Sequence, residues 1–82
     1  GGRKRIMMGL CQLPPGQSGR ILAIHGNDAL SQRLGEMGLL EGHIVRVLAV
    51  APLGDPMEIR VGASTLSLRK SEAARVAIEP LA

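Results

Sequence analysis

Met57-Glu58-Ile59-Arg60-Val61, the turn Gly62-Ala63-Ser64, and Thr65-Leu66-Ser67-Leu68-Arg69 form the stretch that decides the fold. Successive side chains of an extended strand point to opposite faces. Met57, Ile59 and Val61 therefore share an inner face, and Glu58 and Arg60 an outer one. The second run repeats the alternation with Leu66 and Leu68. Two alternating runs joined by a glycine-bearing turn make a β-hairpin.

Toward the N-terminus, Ala51-Pro52-Leu53-Gly54-Asp55-Pro56 must be loop, because two prolines and a glycine cannot sustain a ladder. Before it, His43 to Val50 is a β-branched strand entered through Glu41-Gly42. Leu30, Leu34 and Met37 recur at helical spacing, Asn27 and Asp28 suit an N-cap, and Gly38 suits a C-cap. The spacing predicts a helix over Asp28 to Met37. Gly35 inside it costs about 1 kcal/mol against alanine, which suggests close backbone packing on that side. Arg20 to Ile24 reads as a first strand ended by His25-Gly26, and Leu13 to Gly19 is turn chemistry. Toward the C-terminus, Ser71 can cap one helical turn through Glu72, Ala73 and Ala74. Val76 to Glu79 is a last strand, terminated by Pro80.

The expectation is all-β: a small, strongly bent barrel of about five antiparallel strands. One α-helix lies between strands 1 and 2, and a short helical turn precedes the last strand. Short sequential strands avoid open edges by closing on themselves. A ferredoxin-like sheet competes, but it needs two full helices.

The chain has 82 residues, enough for one small domain, and carries a formal charge of +3. Arg3, Lys4 and Arg5 account for that excess: from Ile6 onward there are 10 − 3 = 7 basic residues against 7 acidic ones. Residues 1–5 read as a flexible tail or cloning remnant and 6–82 as the single domain. Phe, Tyr and Trp are absent, so the core is aliphatic. Their absence removes the base-stacking platforms of single-strand nucleic-acid binders and the aromatic grooves that read proline-rich peptides. No nucleic-acid partner is expected. The longest apolar run, Val47 to Leu53, is far short of the roughly 20 residues of a membrane span, and no secretory signal precedes it. No direct membrane insertion is expected. A lone cysteine, Cys11, fits a reducing cytosol. It could also bridge chains, and an edge strand could support a homo-oligomer.

The sequence carries no phosphate-binding or nucleophile-elbow motif, and the carboxylates fall on outer faces, caps or loops. The chain reads as a non-enzyme. Cys11, His25 and His43 are the weak metal candidates. They lie on three different segments, whereas structural zinc usually takes four nitrogen or sulfur ligands; weak transition-metal binding is the most they suggest, and no cofactor is expected. Arg60, Arg69 and Lys70 read as a solvated hairpin face. Loop Ala51 to Pro56 has two readings: a rigid connector, or a preformed surface with Leu53 as anchor and Asp55 as acceptor.

Leu13-Pro14-Pro15-Gly16, Gly19-Arg20-Ile21, Arg33-Leu34-x-x-Met37-Gly38-Leu39 and Glu41-Gly42 resemble the first half of the FeoA family. Ala51 to Pro56, Leu66-Ser67-Leu68-Arg69-Lys70 and Glu72-Ala73 resemble its second half. The likeness runs from about Leu10 to Ile78. It implies an SH3-like barrel and a cytoplasmic accessory role in bacterial ferrous iron uptake, docking on the GTP-binding region of the FeoB membrane transporter. Arg33, Ala51, Pro52, Leu53, Gly54, Asp55, Pro56 and Arg69 are the partner-binding candidates. The same domain ends iron-dependent DtxR-type repressors, so a metal-responsive domain is the alternative; the absence of a preceding helix-turn-helix would then require a truncated chain.

Overall fold

The computed structural model of the chain describes residues 6–81, so the tail assigned to residues 1–5 lies outside the described residues. Six strands form one antiparallel sheet. They are β1 (Met8–Gly9), β2 (Ser18–Ile24), β3 (Ile44–Val50), β4 (Met57–Val61), β5 (Ser64–Leu68) and β6 (Val76–Pro80), in the order β1-β6-β2-β3-β4-β5. A 3-10 turn (Leu10–Gln12) follows β1; α1 (Ala29–Glu36) joins β2 to β3; α2 (Lys70–Ala73) precedes β6.

The hairpin forms as its alternation requires. Met57 faces Leu68, Ile59 faces Leu66 and Val61 faces Ser64, leaving Gly62-Ala63 as a two-residue turn. Gly62 has φ +59°, the glycine-first geometry of a type II′ turn, whose twist matches that of the strands. Register shifts between Ile21 and Ala23 on β2, and between Val47 and Ala49 on β3, place Leu22 and Leu48 at bulges. Bulges bend a strand and raise its twist, and here they roll the sheet around its core. β2 thereby pairs with both β3 and β6. The sheet's two edges, β1 and β5, each run into a helical turn, and those turns pack on one another across the seam.

Helix α1 begins where its cap chemistry says. The Ser31 N–H donates to Asp28 Oδ1 at 3.2 Å, and the Asp28 N–H donates to Ser31 Oγ at 3.1 Å, a reciprocal pair that satisfies two end donors. It ends in a Schellman motif: the Leu39 N–H reaches the Leu34 carbonyl, the Gly38 N–H reaches the Gly35 carbonyl, and Gly38 has φ +105°. The motif turns Leu39 back beside Leu34, and both are fully buried. Leu30 and Met37 pack against the same core from partly buried positions. No polar or charged residue is buried among the described residues.

Four details differ from the sequence reading. The strands number six, not five. The additional one, β1, is only two residues long and pairs with β6, and such a short run carries no periodicity. The 3-10 turn after it buries Leu10 and, at its end, Leu13. Helix α2 starts two residues earlier than expected: its cap is Arg69, whose N–H donates to Glu72 Oε1 at 2.8 Å, not Ser71. Gly35 is not a close-packing position, since a Cβ there would meet only Leu40 Cδ2, at 3.8 Å. Gly19 is closely packed instead: a Cβ there would sit 2.7 Å from Ile78 Cδ1 and 3.2 Å from the Glu79 carbonyl oxygen, so a side chain there would have to displace its neighbours on β6.

Candidate functional site

Loop Ala51 to Pro56 projects from the end of the β3–β4 hairpin and is fixed by its own backbone. The Ala51 N–H donates to the Pro56 carbonyl at 3.0 Å and the Gly54 N–H donates to the Ala51 carbonyl at 2.7 Å. The Asp55–Pro56 peptide is cis. Leu53 stands at the tip, 97% exposed. A large apolar side chain so exposed gains nothing from the fold, and it is held on a loop that cannot easily retract it.

The loop is also tied sideways. Asp55 Oδ1 accepts the Lys70 backbone N–H at 3.0 Å, so the loop supplies a cap to the first residue of α2. Two residues on, Glu72 uses both carboxylate oxygens: Oε1 accepts from the Arg69 N–H, and Oε2 from the Arg33 guanidinium of α1. Glu72 is largely shielded, while Arg33 keeps most of its side chain in solvent. The sequence-predicted residues Arg33, Asp55 and Arg69 are thus gathered around one short helix. Sequence reasoning missed Glu72 and Lys70, which do the gathering. The signal available for Glu72 was its spacing, three residues after the residue it caps, as in a capping box.

A second tie, on the other side of α1, joins its N-cap to the approach to β6. Arg75 Nη1 donates to Asp28 Oδ1 at 2.6 Å. The Arg75 guanidinium, then the Ser31 N–H, hold the Asp28 carboxyl below the usual carboxylate range.

The metal candidates lie in three different surroundings. Cys11 is half-buried against the core. His25 is exposed and borders a cleft with Met8 and Ala74. His43 is exposed, its Nδ1 3.2 Å from the Gly38 carbonyl oxygen. Among the described residues, no three His, Cys, Asp or Glu side chains come together in a group that could hold a metal ion. No helix among them is long and apolar enough to cross a membrane.

The model of the FeoA domain family matches residues 8–80. The chain belongs to the FeoA family. That membership links it to ferrous iron transport and places it among small accessory domains with an SH3-like fold. A fusion of Fe(2+) transport protein A with the Fe(2+) transporter FeoB, from Porphyromonas gingivalis, is 33% identical over 72 residues, covering 88% of this FeoA-family chain. The chain spans 8% of that fusion's length. The FeoA of Stenotrophomonas maltophilia, a prokaryotic SH3 domain protein solved in complex with zinc, is 38% identical with a TM-score of 0.79, covering 88% of this chain and 89% of its own. A manganese-dependent transcriptional repressor superposes with a TM-score of 0.85 over 96% of this chain and 44% of its own. At 18% identity it shares the fold alone.

Proposed function

We propose that this FeoA domain is a non-catalytic accessory of ferrous iron uptake that docks on the cytoplasmic GTP-binding region of the transporter FeoB. Its docking face is the one built by loop Ala51 to Pro56, Arg33 and Arg69. The observation that carries this reading is the fixed loop: Leu53 is displayed at its tip while Asp55 and Glu72 lock the loop, α2 and α1 into one surface. A preformed apolar anchor binds at low entropic cost, and an exposed Leu on a fixed loop suits a protein surface with an apolar pocket. The fusion relative supports the choice of partner, since it joins Fe(2+) transport protein A and FeoB in one polypeptide. The fold shared with the repressor leaves the metal-responsive alternative without an observation specific to it.

Calorimetric titration of the isolated GTP-binding domain of FeoB into this protein tests the reading. Leu53→Ala is expected to weaken binding by about tenfold, the range of a lost interface anchor. It should leave thermal stability unchanged, because the side chain touches so little of its own fold. Unaltered affinity in that variant refutes Leu53 as the anchor, and no heat of binding in the parent protein refutes the partner. Asp55→Ala should weaken binding too, but with a measurable loss of stability from the uncapped α2.

A further inference from the structure

A second surface lies at the opposite end of the β3–β4 hairpin from the loop. Arg46 on β3 stands directly opposite Arg60 on β4. Ser18 of β2 is the neighbour of Arg46 on its other side, and Thr65 of β5 is the neighbour of Arg60. The four residues make one row across four adjacent strands. They face outward, because Val45, Val47, Ile59 and Val61, which flank the two arginines along their strands, are buried. Like charges placed directly opposite one another disfavour a strand pair. Neither guanidinium has an ion pair or hydrogen bond with another described residue. Glu58, on the same face two residues along β4, engages neither of them. A cleft of about 650 Å³, bordered by Gly16, Ser18, Ile44 and Leu81, opens beside Arg46.

We propose that this row binds an extended acidic segment of a protein partner. Asp or Glu carboxylates of that segment sit on Arg46 and Arg60, and the Ser18 and Thr65 hydroxyls donate to remaining carboxylate oxygens. The segment's backbone lies along the cleft, where Ile44 and Leu81 offer apolar contact. An arriving carboxylate converts the repulsion between the two guanidinium groups into two charge-assisted contacts, which is the complementarity the bare row lacks. Nucleic acid fits the row less well. Tracking a duplex takes several phosphate contacts, on the order of six to ten for tight binders, and the row supplies two cations on a formally neutral body. The surface is separate from the loop-borne docking face, so each proposal can fail without the other.

The probe is a fluorescein-labelled hexaglutamate peptide, followed by fluorescence anisotropy at low salt with the full chain. An Arg3→Gln/Lys4→Gln/Arg5→Gln background separates the row from the basic N-terminal residues. Binding is expected to persist in that background and to weaken with salt. Adding Arg46→Gln and Arg60→Gln should weaken it by about tenfold or more, the value of lost charged hydrogen bonds. Amide shifts in the NMR spectrum should move at Ser18, Arg46, Arg60 and Thr65. Because the pair is repulsive, Arg60→Gln alone should hold or raise the melting temperature. The proposal is overturned if binding vanishes on neutralising residues 3–5 alone or survives the double substitution. It is also overturned if Arg60→Gln lowers the melting temperature along with affinity, or if a DNA duplex displaces the peptide with higher affinity through the same arginines.

Discussion

Asp28 does two tasks with one carboxylate, and the two respond to acid together. It caps α1 by accepting the Ser31 N–H, and it holds Arg75 ahead of β6. Both favour the charged form, so the folded pKa is depressed. A depressed carboxylate pKa gives stability that is present above the unfolded value and is lost as pH falls through the folded one. The window therefore opens near pH 4, the ordinary carboxylate value, and extends below it. Thermal melts from pH 6 down to pH 2 should show this acid loss in the parent protein. Asp28→Asn keeps a competent cap but no charge. It should be less stable than the parent at pH 6 and show a shallower loss toward pH 2. Equal slopes for the two proteins would count against this role. Gly19 shows the other kind of constraint at this scale, space rather than charge: β2 and β6 approach so closely that any side chain there meets Ile78.

At the scale of elements, α2 is too short to stand alone. Its start is held by side chains, by Asp55 of the β3–β4 loop on its first N–H and by its own Glu72 reaching back to the Arg69 N–H. Glu72→Ala removes a cap and an ion-pair partner together and should cost about 1–2 kcal/mol. Arg33→Ala removes only the more exposed half of the pair and should cost less than about 1 kcal/mol. Urea unfolding of the two variants checks the order, and a costlier Arg33→Ala would show that the ion pair rather than the cap matters. The helix and hairpin were legible from sequence for a shared reason: each has a period that a single side of the core imposes, 3.6 for Leu30, Leu34 and Met37 and 2 for Met57, Ile59 and Val61. The cap of α2 was not. Ser71 is the better capping side chain by type, but the position of Glu72 relative to Arg69, and the arrival of Asp55 from a distant loop, set the start two residues earlier.

At the scale of the whole molecule, the core closes through segments with little signal of their own. Leu10 is fully buried, on a three-residue 3-10 turn beside a two-residue strand. The turn packs on α2 where the sheet's two edges meet. Leu10→Ala should therefore cost about 2–5 kcal/mol, the range for an emptied core leucine. A cost below 1 kcal/mol by urea unfolding would show that the seam is a loose flap rather than part of the core. With no aromatic side chain available, the barrel depends on all of these aliphatic contacts together.

The sequence by itself determined the alternation of the hairpin, the ends and inner face of α1, the loop at Ala51 to Pro56, and the aliphatic, formally neutral body. These are local matters: periodicity, proline and glycine geometry, and capping chemistry act over a few neighbouring residues. Only the tertiary structure decided that Arg33, Asp55 and Arg69 meet around α2, that Arg46 faces Arg60, that Gly19 and not Gly35 is closely packed, and that Met8 to Leu13 completes the barrel. Each of those depends on strand register and on the roll of the sheet. Register and roll come from packing both hairpin and helix against one core, and no short window of the chain contains that information.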